Sequence, residues 1–319
     1  MSASLGTLER VEFHVPDRRL TIEALAEPLG LSRPKLSLFR KVHGLHTLHD
    51  DPDSSLFDLV LPAARRVVEQ APDPRRIRWV IYAHAIHEVA PADTDLAAGI
   101  RDALGLRHAE AFALSQQNCA SGLGAVDVAA QLLRDGDAAD RVLVVTGEKP
   151  HSPLIRTVPN TAIMGEASAA CLVSVGGTGD TVRSYVSHTL GEYAQLVGMS
   201  PEQAALYGKA YAPTLADVVR QAVAEAGLTL ADIDLVIPHN VNLMAWRNTV
   251  AELGISQNRV FLDNVPRYSH CFAADPFVNY ASLRDAGRLV EGRHYLMACV
   301  GAGATFTALT LTHRRGDTR

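Results

Sequence analysis

Short apolar runs rich in Val, Ile and Leu recur along the chain, and between them lie segments whose apolar positions fall three and four apart. The runs at 79–82 (WVIY), 142–145 (VLVV), 170–175 (ACLVSV), 235–237 (LVI), 295–300 (YLMACV) and 305–311 (TFTALTL) read as buried strands. Strand and helix in alternation predict an α/β fold with a largely parallel sheet covered on both faces.

The pattern also repeats itself. Residues 60–85 read as a helix, a polar turn and the strand IRWVIYAHA, and 218–240 read as a helix, a turn and the strand IDLVIPHN. Setting 77–81 over 233–237 lays Cys119 on Asp275 and the helix SGLGAVDVAAQLLRDG on FVNYASLRDAGRLVEG. Two similar halves are therefore expected, 1–175 and 176–319, packed so that the starts of these two helices meet. Between them, 184–213 contains Gly191, Gly198, Pro201 and Gly208, and 199–205 (MSPEQAA) reads as a short capped helix. That segment is either a lid over the seam or a surface linker.

Composition narrows the function classes. With 47% hydrophobic and 20% charged residues in 319, the chain can bury a substantial core and is not a disordered polymer. A net charge of −5 and no Lys/Arg cluster argue against a nucleic-acid partner. The start, MSASLGTLERVEF, lacks the pattern of a signal peptide, and no stretch approaches the roughly 18 apolar residues of a membrane span. A cytoplasmic protein with no membrane partner is expected. The four cysteines, Cys119, Cys171, Cys271 and Cys299, are far apart in the chain, so free thiols are expected rather than a disulfide framework or a metal site.

One thiol stands apart. Cys119 follows the polar stretch 115–118 and precedes Ala120, Ser121 and Gly122 at the start of a long helix. A helix N-terminus favours the thiolate, and small residues leave room for an acyl group; a small buried cysteine at a tight junction is the other reading. His239 comes directly after a buried strand, where open α/β sheets place their sites, or it is a satisfied structural histidine. His270 precedes Asp275 by five residues, a spacing that allows the carboxylate to orient the imidazole. Asp275 before Pro276 equally suits a helix N-cap. Gly301, Ala302 and Gly303 follow a strand and form either part of an oxyanion hole, with the Cys119 N–H, or a plain turn.

Taken together, these motifs resemble the thiolase superfamily, and within it the β-ketoacyl-carrier-protein synthase III type, over most of the chain. The resemblance is carried by 118–122 (NCASG), by 165–169 (GEASA) where the family usually has Asp-Gly-Ala-Gly-Ala, by 238–242 (PHNVN) where it has Pro-His-Gln-Ala-Asn, and by the 301–303 loop. It implies a duplicated five-layered α/β/α/β/α fold, a homodimer, Cys119 acylated from a thioester, and no bound cofactor or metal. It also implies roles for His239 in the site and for Asn242, with Gly301, Ala302 and Gly303, in binding substrate or oxyanion.

The chain departs from the family where condensing members carry Tyr-Gly-Asn-Thr-Ser: here 268–272 read YSHCF, and the Asn is His270. Cys-His-His is the set of elongating condensing enzymes, in which two imidazoles bind the extender carbonyl. His followed by Asp resembles a branch of secondary metabolism that transfers acyl groups to oxygen or nitrogen or primes polyketide chains. A carboxylate-held imidazole suits deprotonation of an acceptor, whereas decarboxylation needs hydrogen-bond donors and no base. The expected activity is thus acyl transfer from an acyl carrier protein, or from coenzyme A, through Cys119 to a small-molecule acceptor. Decarboxylative condensation is the alternative, and an inactive partner subunit a third reading. Arginines that the family often uses for the donor are replaced by His46 and Met244, with Arg247 nearby.

Overall fold

The computed structural model describes residues 5–314 except 88, 92 and 195–197. Nine strands carry the architecture: β1 (Gly6–His14), β2 (Ile77–Ala83), β3 (Glu110–Leu114), β4 (Arg141–Gly147), β5 (Ser168–Ser174), β6 (Asp180–Thr189), β7 (Ile233–Pro238), β8 (His294–Gly301) and β9 (Thr305–Thr312). They form one sheet in the order β7-β8-β9-β6-β1-β5-β4-β2-β3. All six expected runs are strands. β1, β3 and β6 were not anticipated: β1 and β6 alternate apolar with charged and polar positions (TLERVEFH, DTVRSYVSHT), and β3 is only five residues long (EAFAL).

The sheet is mixed rather than largely parallel. Only β2–β3, β2–β4 and β7–β8 run parallel. β8 returns as β9 through 302–304, a connection too short for a parallel crossover, and this hairpin, like the neighbours of β1, must be antiparallel.

Helices make the layers. α1 (Leu56–Glu69) starts in a capping box between Ser55 and Asp58 and presents Leu59, Val60, Ala63, Ala64 and Val67 inward. With α2 (Leu96–Ala103) it covers one face of the β4, β2 and β5 strands. On the far side of the molecule α4 (Pro201–Glu225) and α5 (Leu243–Leu253) cover the outer face of β7, β8 and β9. Between the two arrays lie α3 (Ser121–Leu133) and α6 (Asp275–Asp285), whose residues join both arrays in one core. The result is five layers, α/β/α/β/α, with the two strand arrays hydrogen-bonded only where β1 meets β6. The change from one array to the other falls between β5 and β6.

The middle layer accounts for the odd composition of its helices. α6 is buried at nearly every position from Asp275 to Leu283, so it shows no apolar stripe. α3 uses small residues to let the layers close: a Cβ on Gly122 would stand 2.6 Å from the Ala273 carbonyl oxygen, just ahead of α6. The two helix starts thus lie against each other.

The segment expected as a lid or a surface linker resolves differently. Residues 184–189 belong to β6, and 201–213 are the first half of the 25-residue helix α4, whose capping box pairs Ser200 with Gln203. The expected short helix is only its first turn. The apolar pattern hid this because that half of the helix is mostly exposed and Pro213 interrupts it. No helix among the described residues is long and apolar enough to cross a membrane.

Candidate active site

Cys119 lies in a 3-10 turn, Asn118–Ala120, that runs directly into α3. It is partly exposed, whereas Cys171, Cys271 and Cys299 are buried, and all four are free thiols. The turn is clamped from two sides. The Asn118 side chain donates to the Ala302 carbonyl at 2.5 Å, and the Cys299 thiol of β8 donates to the Cys119 carbonyl at 3.1 Å. Gly301, the last residue of β8, presses on the same turn, where an added Cβ would come 1.8 Å from the Gln117 carbonyl oxygen. Replacing Gly301 with Ala is accordingly expected to destabilise the fold by about 3 kcal/mol or more, since the obstacle is backbone. Chemical denaturation of the variant checks this; an unchanged midpoint would show that the turn yields freely.

His270 and Asp275 meet at the start of α6. Asp275 occupies the first position of the helix and makes no side-chain cap; the N-cap is Ala274. Its fully buried carboxylate instead accepts from His270 Nδ1, from the Asn240 N–H at 2.6 Å and side-chain amide at 3.2 Å, and from the Cys271 N–H at 2.8 Å. Of the two roles open to Asp275 from sequence, orientation of His270 is the one its contacts serve. Asn240 is held in turn by Asn279, which receives from Asn264, a buried amide chain that fixes the carboxylate's position. Cys119 lies near His270, and its sulfur favours the protonated imidazole. Burial opposes protonation of His270, but the Asp275 carboxylate and then the Cys119 sulfur outweigh it and push the imidazole up to about 10.

The backbone is forced at these turns. Asn118, Ser269 and Phe272 have φ values of 51°, 55° and 53°, in a region costly for non-glycine residues. Each costs about 1–3 kcal/mol, and all three flank Cys119 or His270. The Gly165 turn singled out in the sequence supports the second of these, its N–H donating to the His270 carbonyl at 2.9 Å.

His239 follows β7 directly. Its N–H donates to the Ala298 carbonyl at 3.0 Å and its carbonyl accepts from the buried Trp246 indole at 2.8 Å, so the main chain is held on both sides. Its ring lies 5.7 Å from that of His270, centroid to centroid. Burial, and then the charge of His270, keep it far below the ordinary histidine range; the Ala298 carbonyl pulls weakly the other way. His239 is therefore a neutral imidazole, and its Nε2 shares a hydrogen bond of 3.2 Å with the Tyr211 hydroxyl.

Cys119, His239, His270 and Asp275 thus converge from both halves of the chain, and the 301–303 loop lies against the Cys119 turn. Asn242 has its amide engaged elsewhere: its oxygen caps α5 by accepting from the Ala245 N–H at 2.7 Å, and its nitrogen donates to the Thr161 carbonyl at 3.0 Å. Sequence reasoning gave no role to Asn240, Asn279, Tyr211 or Glu148. The first lies inside the 238–242 motif, and the i, i+4 pair Tyr207 and Tyr211 was a further available signal. Glu148 is fully buried, accepts from the Ala85 and Ile86 N–H groups at 2.6 and 2.7 Å, and feels the charge of His270. Burial, only partly offset by these donors, pushes its carboxyl up to about 7.

Residues 115–191 match the family described as 3-Oxoacyl-[acyl-carrier-protein (ACP)] synthase III, and 223–313 match its C-terminal counterpart, together more than half of the chain. A curated relative, the "Beta-ketoacyl-[acyl-carrier-protein] synthase III" of Rhizorhabdus wittichii strain RW1, is 29% identical over 273 residues, covering 80% of this chain and 83% of the relative. Among solved structures, one titled "ChlB3 [Aceyltransferase]" superposes with a TM-score of 0.86 at 20% identity, covering 98% of each chain. The 3-oxoacyl-(acyl carrier protein) synthase III, FabH, of Pseudomonas aeruginosa PAO1 follows with a TM-score of 0.82 at 21% identity, over 98% of this chain and 99% of that one. The five-layered fold, the meeting of the Cys119 and His239 motifs in one site and these matched segments place the chain in the 3-oxoacyl-[acyl-carrier-protein] synthase III family of thiolase-fold enzymes.

Proposed function

We propose that the protein is an acyltransferase of this family, which loads an acyl group from a thioester onto Cys119 and passes it to an oxygen or nitrogen nucleophile in secondary metabolism. The observation that carries this reading is the buried His270–Asp275 pair in contact with Cys119. In the loading half, the Cys119 sulfur attacks the thioester carbon, the donor's C–S bond breaks, and the departing thiol takes its proton from His270. In the transfer half, the acceptor gives its proton to His270 as its oxygen or nitrogen bonds to the acyl carbon, and the Cys119 sulfur leaves as thiolate. Asp275 stabilises the imidazolium in both halves. The N–H of Cys119 and the 301–303 loop are the proposed donors to the tetrahedral oxyanion, and His239, its Nε2 held by Tyr211, lines the site beside His270.

An acyl carrier protein is the preferred donor, with coenzyme A possible. A homodimer is the expected assembly, and β3, which ends the sheet with one edge open, supports it. The acyltransferase title of ChlB3 agrees with this reading. The synthase name of the Rhizorhabdus relative and the two neighbouring imidazoles favour decarboxylative condensation as the second reading.

Intact-mass measurement after incubation with short acyl thioesters is expected to show one acyl group on Cys119. Chase with small alcohols and amines is then expected to discharge it, and chase with a malonyl thioester is not. Release of CO2 with formation of a β-keto product would overturn transfer in favour of condensation, and absence of any acylated protein would overturn both.

A further inference from the structure

Decarboxylative condensation asks two things of this site. The bond between the extender's carboxylate and its α-carbon breaks, CO2 leaves, and the electron pair passes onto the thioester carbonyl as an enolate that attacks the acyl carbon. The oxygen on which this charge develops needs hydrogen-bond donors aimed at it. In a Cys-His-His site those donors are the outward nitrogens of the two imidazoles.

Here the His239 nitrogen is not open. His239 Nε2 is covered by the Tyr211 hydroxyl at 3.2 Å. This holds for either tautomer, since Nε2 is engaged whether it gives or takes the proton. The Tyr211 ring is not loose. Tyr211 packs edge-on against Phe306 of β9, with centroids 5.6 Å apart, and against Tyr207 at 5.9 Å. Tyr207 meets Tyr193 at 5.3 Å, so an aromatic wall running back along α4 backs the hydroxyl. The main chain of His239 is fixed on both sides by Ala298 and Trp246.

We infer that Tyr211 is a specificity-determining positioning residue, which by occupying His239 Nε2 withholds one donor from an extender carbonyl and commits acyl-Cys119 to transfer rather than condensation. The inference rests on the acyl-transfer reading and names how the site enforces it.

The test is Tyr211→Phe in the full chain, which removes one oxygen and keeps the ring on Phe306. With Cys119 acylated and carboxyl-labelled malonyl pantetheine as the probe, the variant is expected to release labelled CO2 about 100- to 1,000-fold faster than the unaltered protein, the size of one donor to a developing oxyanion. The His239 Nε2 resonance of ¹⁵N-histidine-labelled protein is expected to shift, which a merely structural role of the ring would not produce. Should the Phe variant fold poorly, Tyr211→Met, which also lacks the oxygen, must give the same two results. Unchanged CO2 release together with an unshifted Nε2 resonance overturns the inference and leaves the transfer reading standing. Fast CO2 release by the unaltered protein instead overturns the transfer reading itself.

Discussion

Asp275→Asn is expected to slow acyl transfer roughly 1,000- to 10,000-fold, the range seen when the carboxylate of a nucleophile-His-Asp triad becomes an amide. The carboxylate accepts from four donors: His270 Nδ1, the Asn240 N–H, the Asn240 amide and the Cys271 N–H. An amide offers one acceptor oxygen and brings an NH2 group that must face one of those donors. The imidazole loses its fixed tautomer and the charge that favours its protonated form. Loading and transfer should separate with pH. A cysteine can ionise on its own in alkaline solution, so Cys119 acylation is expected to recover there, whereas a hydroxyl acceptor still lacks its base. Single-turnover intact-mass measurements at neutral and alkaline pH read both steps. Transfer at the unaltered rate would reduce Asp275 to a structural carboxylate.

Cys119→Ala is expected to abolish the acylated mass entirely and to move the titration of His270 downward. In the unaltered protein burial depresses the imidazole, and Asp275 and then the Cys119 sulfur raise it to about 10 from an ordinary 6.5. Because the folded value is the raised one, the stability contributed by His270 is complete below the unfolded value of 6.5 and lost as pH rises through about 10. Without the sulfur one of the raising groups is gone, so that loss is expected to be smaller and to finish at lower pH. Denaturant midpoints across the alkaline range, for both proteins, measure the difference. Coincident curves would mean that the sulfur does not act on His270, and a residual acyl adduct would place the nucleophile elsewhere.

How much was legible beforehand follows from what each element presents to its surroundings. β2, β4 and β5 are buried on both faces and appear as unbroken apolar runs. β1 and β6 alternate Leu, Val and Phe or Tyr with charged and polar residues, and so resembled connecting chain. The first half of α4 was read as a lid or a surface linker because Gly198, Pro201 and Gly208 break its pattern, yet one of its less exposed faces carries Tyr207 and Tyr211 toward the site. Asp275 carried two meanings because a carboxylate before proline suits a cap; the contacts of Asn240 and Cys271 decide between them. Asn242 and Asn240 sit two residues apart in one motif, one capping a helix and the other holding the carboxylate, a distinction that depends on where their neighbours fold.

The sequence by itself determined the alternation of strand and helix, the internal repeat, and the identities of Cys119, His239, His270 and Asp275, because hydrophobic period and reactive side chains are properties of the chain. The tertiary structure alone decided the antiparallel seam of β1 and β6, the engagement of His239 by Tyr211, and the amide chain behind Asp275. Those depend on contacts between residues far apart in sequence, where burial and a single hydrogen-bond partner set what a side chain can do.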